Sequence, residues 1–206
     1  MTNANGGVSF TFGTRCSDMS TSDYLELPKD LPVPKDDGAC RHLEGARLPS
    51  VSLRSTTGGT VDLSKISGTV VVYCYPRTGR PGEEPPDGWD AIPGARGCTP
   101  QTCAFRDHYQ EIRACGAEVF GLSTQNTEYQ KELVSRLHVP FPVLSDETLE
   151  FAAALRLPTF TVASMIMIMR LTLIATGGVI KKVFYPVFPP HKNAGDVIAW
   201  LQGASR

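Results

Sequence analysis

Thr69-Val70-Val71-Val72-Tyr73-Cys74-Tyr75 is an unbroken run of β-branched and aromatic side chains, closed by Pro76. A run that is apolar at odd and even positions alike belongs to a strand covered on both faces, which is the middle of an α/β sheet. Residues 76–97 follow as a Pro- and Gly-rich stretch that can form neither a helix nor an interior strand, and they are predicted as a long loop. Long structureless loops are uncommon inside compact domains and are often functional. This one ends at Gly97-Cys98-Thr99-Pro100-Gln101-Thr102-Cys103-Ala104-Phe105-Arg106-Asp107. Here Thr99 suits a cap and Pro100 a first helical position, and Phe105, Tyr109 and Ile112 recur at helical spacing until Gly116 supplies the stop.

The same alternation continues outward. A strand is predicted at residues 117–122, a helix at 128–137, a short strand at 142–144 and a helix at 149–155. Strands at 170–175 and 179–185, joined by a Gly177-Gly178 turn, precede a last helix capped by Asn193 and running to residue 202. Upstream, a short strand at 50–53 and a Gly58-Gly59 turn lead into residues 61–63. Strands alternating with helices make an α/β fold, a central sheet flanked by helices. Trp89 reads as a loop anchor and Trp200 as a core residue.

At 206 residues the chain suits one domain. That domain is predicted over 31–206, after a polar, Ser/Thr/Asn/Gly-rich and flexible extension at 1–30. With 41% hydrophobic and 20% charged residues and a net charge of -1, the chain offers nothing to draw a nucleic acid. Its six cysteines (Cys16, Cys40, Cys74, Cys98, Cys103, Cys115) are unevenly spread, which suits a reducing compartment better than a disulfide framework. The first thirty residues show neither a secretory apolar core nor an Arg-rich amphipathic pattern, so a cytoplasmic location is expected. Residues 160–180 have the length of a membrane span, but Arg170 at their centre costs about 2.5–3.5 kcal/mol on insertion and Gly177-Gly178 interrupt them. A buried strand is the better reading, and no membrane partner is expected.

Cys98 stands where the predicted helix starts. Free backbone N–H groups and the helix dipole at such a position stabilise a thiolate, the nucleophilic form of a cysteine. Cys103 lies five residues on, about 7.5 Å along a helix axis, whereas a disulfide needs Cα atoms within roughly 7 Å. A bond between the two therefore requires the first turns to unwind, which suits a redox cycle better than a static staple. On spacing alone, two unrelated buried thiols remain an equal alternative. A zinc site has little support, since His108, His138 and His191 are scattered, and no metal or cofactor is expected. Cys74 and Cys115 read as packing residues, and Cys16 and Cys40 as lying in or near the flexible N-terminus.

The segment from Gly97 to Asp107 closely resembles the active-site segment of the bacterioferritin-comigratory, or Q-type, peroxiredoxins, in which Gly-Cys-Thr, a Gln three residues after the first Cys, a second Cys at the fifth and Phe/Leu-Arg-Asp recur. Val72-Tyr73-Cys74-Tyr75-Pro76, Gly121-Leu122-Ser123 and Met169-Arg170-Leu171-Thr172-Leu173-Ile174 with Gly178 are similar to further pieces of that family. The resemblance covers about 31–201. It implies a thioredoxin-like fold with a central mixed β-sheet, and a thiol peroxidase acting on hydrogen peroxide and organic hydroperoxides. It makes Cys98 the peroxidatic cysteine, Cys103 the resolving one and Arg170 the cation that holds thiolate and peroxide, with Gln101 beside the substrate. A fixed cation favours the thiolate and stabilises charge developing on the leaving oxygen.

Two departures stand out. The family hydroxyl three residues before the first Cys is replaced by Ala95, the matching Pro is Pro76, and the loop between them looks like an insertion; Thr78 is the candidate for supplying the hydroxyl. Between Leu157 and Arg170 an apolar tract replaces a short link, expected to form a hydrophobic wall to the site or a dimer contact. The implied partners are a hydroperoxide and a thioredoxin or glutaredoxin, with the protein a monomer or homodimer. A peroxide-sensing switch and a general thiol-disulfide oxidoreductase are the competing functions, although no Cys-x-x-Cys pair follows the strand.

Overall fold

The computed structural model describes residues 30–204; residues 1–29 of the predicted extension, with Cys16, lie outside them. Seven strands form one sheet in the order β2-β1-β5-β4-β3-β8-β9. They are β1 (Leu53–Ser55), β2 (Thr60–Val61), β3 (Thr69–Cys74), β4 (Ala117–Ser123), β5 (Val143–Ser145), β8 (Leu171–Thr176) and β9 (Val179–Phe184). β3, β4 and β5 run parallel, while β1, β8 and β9 pair antiparallel with their neighbours. The sheet is therefore mixed and, with helices on its faces, has the thioredoxin-like architecture.

β3 sits between β4 and β8, and its alternation divides the core. Val70, Val72 and Cys74 face one cluster with Leu122, Leu173, Phe151 of α4 (Glu150–Leu155) and the N-terminal Leu43, Leu48 and Leu53. Val71, Tyr73 and Tyr75 face the other, beneath α1 (Cys98–Asp107), α2 (Tyr109–Ala114), α3 (Thr127–Leu137) and α5 (Asn193–Ala204). Successive strand side chains point to opposite faces, so a strand with helices above and below must be apolar throughout, as the opening heptad is. Cys74 is a packing residue as expected. Cys40 is not part of a loose N-terminus: it is buried in the first cluster, and burial, with Asp37 and Asp36 nearby, pushes its thiol up to about 12.

Tyr73 fixes α1 to the sheet. Its ring stacks on Phe105 with centroids 4.4 Å apart, a geometry worth about 0.5–1.5 kcal/mol beyond area burial. Opposite Tyr73 in register is Gly121, where an added Cβ would lie 2.7 Å from the Tyr73 hydroxyl. The glycine gives the tyrosine the space it occupies.

Several further sequence expectations change. The single helix from Thr99 is two, divided at His108, and it begins one residue early: Gly97, with φ 102, is the cap, and Cys98 is already helical. Asn193 does not cap; it has helical dihedrals, φ -58 and ψ -38, after a 3-10 turn at Pro190–Lys192. The apolar tract at 160–180 is not one strand. It comprises a separate two-stranded hairpin, β6 (Thr159–Val162) and β7 (Met165–Ile168), before Arg170 and β8. Phe160 and Met167 of the hairpin pack with Trp89 and Ala95, forming a hydrophobic wall to the inserted loop, with Trp89 as its anchor. Among the described residues no helix is long and apolar enough to cross a membrane. Trp200 is half-buried at the edge of the second cluster rather than central to it.

Candidate active site

Cys98 opens α1 at the bottom of a cleft of about 590 Å³, counted with its open mouth. Arg77, Gly79 and Glu83 to Pro86 line one side with Trp89, and Ala95 to Pro100 line the other. The inserted loop thus forms much of the wall. Cys98 is 3% exposed, and its sulfur lies 3.6 Å from the Ala95 carbonyl oxygen and 3.2 Å from Arg170 Nη2.

Arg170 is itself 3% exposed and immediately precedes β8, the strand beside β3. Nη2 also faces the carbonyl oxygens of Gly94, Ala95 and Arg96 at 3.1, 3.2 and 3.0 Å, and Nη1 donates to Gln101 Oε1 at 2.5 Å. None of these partners is a carboxylate. The carbonyls and the amide hold the guanidinium in place by dipoles and leave its full positive charge directed at the sulfur. The same contacts shape Gly94 to Arg96, which lead through Gly97 into Cys98, so the cation and the turn into α1 hold each other.

Gln101, expected beside the substrate, is instead fully buried, with both ends of its amide taken up by protein atoms: Oε1 by Arg170 and Nε2 by Asn193 Oδ1 at 3.0 Å. Asn193 Oδ1 also accepts from the Thr172 hydroxyl at 2.6 Å. Thr78, the candidate for supplying a hydroxyl, is engaged with Gln125. Its hydroxyl and N–H both donate to Gln125 Oε1, at 3.1 and 3.0 Å, and its carbonyl accepts from Gln125 Nε2 at 3.1 Å. Thr78 is buried and does not line the cleft; it anchors the inserted loop to the end of β4.

Cys103 is half-buried on the same unbroken helix, and burial pushes its thiol above the ordinary range, with Arg106 pulling more weakly the other way. Both thiols are free. The structure therefore gathers Cys98, Arg170 and Gln101 into one network and leaves Cys103 and Thr78 outside it.

Sequence reading passed over three contributors. Asn193 was hidden by its suitability as a cap, and Thr172 stood unremarked in the quoted Arg170-Leu171-Thr172 segment. The third is Tyr129 of α3, which clamps the inserted loop: its hydroxyl donates to Glu83 at 2.7 Å and accepts from Arg77 at 3.3 Å, and the Arg80 guanidinium lies 3.9 Å from its ring centroid.

The redoxin family model matches residues 43–198. Peroxiredoxin Q of Oryza sativa subsp. japonica is 31% identical over 160 residues, covering 77% of this chain and 66% of its own length, so the chain spans about two thirds of that relative. Peroxiredoxin Q of Sedum lineare is 30% identical over 172 residues, covering 83% of this chain and 84% of its own. In fold, the chain is similar to the peroxidoxin BcpB of Mycobacterium tuberculosis, with a TM-score of 0.63 at 24% identity over 78% of this chain and 96% of that one. The two plant relatives are named chloroplastic, and this overturns the cytoplasmic reading. That reading rested on the lack of a secretory apolar core and of an Arg-rich amphipathic pattern in a short polar stretch, and such a lack does not specify a compartment. The shared architecture and the extent of the matches place the chain in the redoxin family and, within it, in the bacterioferritin-comigratory, or peroxiredoxin Q, subfamily of the thioredoxin-fold peroxiredoxins.

Proposed function

We propose that the protein is a thiol-dependent peroxidase in which Cys98 attacks the hydroperoxide, Cys103 resolves the product and Arg170 supplies the activating charge. One observation carries the reading: a guanidinium with no carboxylate partner among the described residues stands 3.2 Å from a cysteine sulfur that lines a cleft. The Cys98 thiolate attacks the terminal oxygen of ROOH. An S–O bond forms, the O–O bond breaks, and the leaving RO⁻ takes a proton to become ROH, or water when the substrate is hydrogen peroxide. Arg170 stabilises the thiolate before attack and the leaving oxygen during it.

The product is a sulfenic acid on Cys98. The Cys103 thiol gives up its proton and attacks that sulfur, an S–S bond forms and the oxygen departs as water. Because α1 is continuous between the two cysteines, this step requires its first turn to open. Cys98, Thr99, Pro100, Gln101 and Thr102 are all buried there, so opening gives up the Arg170 and Asn193 contacts together. An external dithiol of the thioredoxin type then reduces the disulfide by exchange and becomes oxidised itself.

Thioredoxin-coupled peroxide turnover by wild type, Cys98→Ser and Cys103→Ser tests the scheme. Sustained turnover is expected of wild type alone. Turnover by Cys98→Ser would remove Cys98 as nucleophile, and a single oxidation without turnover would favour a sensor over an enzyme.

A further inference from the structure

A glutamine amide ends in an oxygen and an NH₂ of similar size, and only its neighbours decide which end faces which partner. Arg170 is purely a donor, so Gln101 meets it productively only through oxygen. The NH₂ then points the other way inside the protein, and a buried donor left unpaired is the costly arrangement. Asn193 Oδ1 is the acceptor that receives it.

Asn193 is used against its local preference. Asparagine at the start of a helix ordinarily turns its side chain to the free N–H groups of the first turn. Here it adopts helical dihedrals and its oxygen points inward, to Gln101 and Thr172. A residue that forgoes a favourable local role for a buried polar contact marks a site where geometry matters more than helix stability. The hydrogen-bonded line runs from Thr172 on β8 through Asn193 on α5 and Gln101 on α1 to Arg170 and the Cys98 sulfur, so it joins three elements that must stay in register for the guanidinium to meet the thiolate.

We infer that Asn193 is a positioning residue of the peroxidatic centre, holding Gln101 with its oxygen toward Arg170 and thereby keeping the guanidinium aligned on Cys98. The inference rests on the peroxidase reading above and adds to it a residue 95 positions from the nucleophile that touches neither thiol nor peroxide in this network.

The test is the second-order rate of Cys98 oxidation by hydrogen peroxide, followed in stopped flow, with circular dichroism confirming the fold of each variant. Asn193→Leu, which removes the acceptor, is expected to react about tenfold more slowly, as a displaced catalytic group does. Asn193→Asp keeps an oxygen in place and is expected to stay within about threefold of wild type. In a Gln101→Met background, where there is no amide to orient, adding Asn193→Leu should change the rate by less than about twofold. Should Asn193→Leu fail to fold, Asn193→Ala withdraws the oxygen without adding apolar bulk and carries the same expectations. An unchanged rate in Asn193→Leu, a loss of equal size in the Gln101→Met background, or an Asn193→Asp as slow as Asn193→Leu each overturns the role. A wild-type protein inert to peroxide would instead refute the peroxidase reading itself.

Discussion

Arg170 Nη2 and the Cys98 sulfur stand 3.2 Å apart although 72 residues of chain separate them. The same nitrogen faces three consecutive carbonyls, so one side chain both charges the site and shapes the turn that delivers the cysteine. Lysine cannot do both, because an ammonium is a point charge without the planar fork. Arg170→Lys is expected to lower the rate of Cys98 oxidation by at least about 100-fold, measured by competition with a second peroxidase. A rate close to wild type would remove Arg170 from the chemistry.

The inserted loop depends on Tyr129. Burial, and after it the hydrogen bond to Glu83, pushes this phenol up to about 12, so it remains a donor to Glu83 throughout the working range. Tyr129→Phe keeps the ring under Arg80 but loses the hydroxyl, a cost of about 1 kcal/mol. Tryptic cleavage after Arg77 should become several-fold faster while the rest of the domain resists. Equal cleavage rates would mean that the clamp does not hold the loop.

Much of the fold was legible because the strands at its centre carry their environment in their composition: Thr69 to Tyr75 could only be covered on both faces. The Cys98 and Arg170 pair was legible through the family-like segments and the cost of an arginine in an apolar tract. The β6–β7 hairpin was not. Its tight turn places Ala163 and Ser164 at φ 47 and 63, the left-handed conformations that usually advertise themselves as Asn-Gly, so the tract read as continuous. The contacts of Gln101, Thr78 and Asn193 were hidden for another reason. Which neighbour a buried amide or hydroxyl engages is decided by tertiary packing, and residue type alone is silent about it.

That turn offers a gain in stability. Non-glycine residues in the left-handed region cost roughly 1–2 kcal/mol each. Ala163→Asn with Ser164→Gly is therefore expected to stabilise the hairpin by about 1 kcal/mol and raise the thermal midpoint by about 2–4 °C. Scanning calorimetry decides it, and a lower midpoint would contradict the turn geometry.

Cys103 sets a pH dependence. Its folded thiol ionises above the ordinary value of 9.0 because burial disfavours the thiolate. Between the unfolded and folded values, the folded state keeps a proton that the unfolded state has lost, so stability falls as pH rises. The contribution is fully present below pH 9.0 and is lost as pH climbs through the folded value. In urea unfolding above pH 9.0, Cys103→Ser should show a shallower decline than wild type; parallel declines would contradict the buried thiol.

The central claim is that Cys98 and Cys103 form the bond that ends the oxidative half-reaction, although α1 keeps them apart when reduced. Peptide mass mapping of peroxide-treated protein, with remaining thiols alkylated before digestion, tests it most directly. A Cys98 to Cys103 crosslink is expected in wild type, and in Cys103→Ser a sulfenic acid on Cys98 that a dimedone-type reagent traps. A crosslink from Cys98 to Cys40 or to a second chain would contradict the choice of Cys103, and peroxide treatment that leaves Cys98 unmodified would contradict the claim entirely.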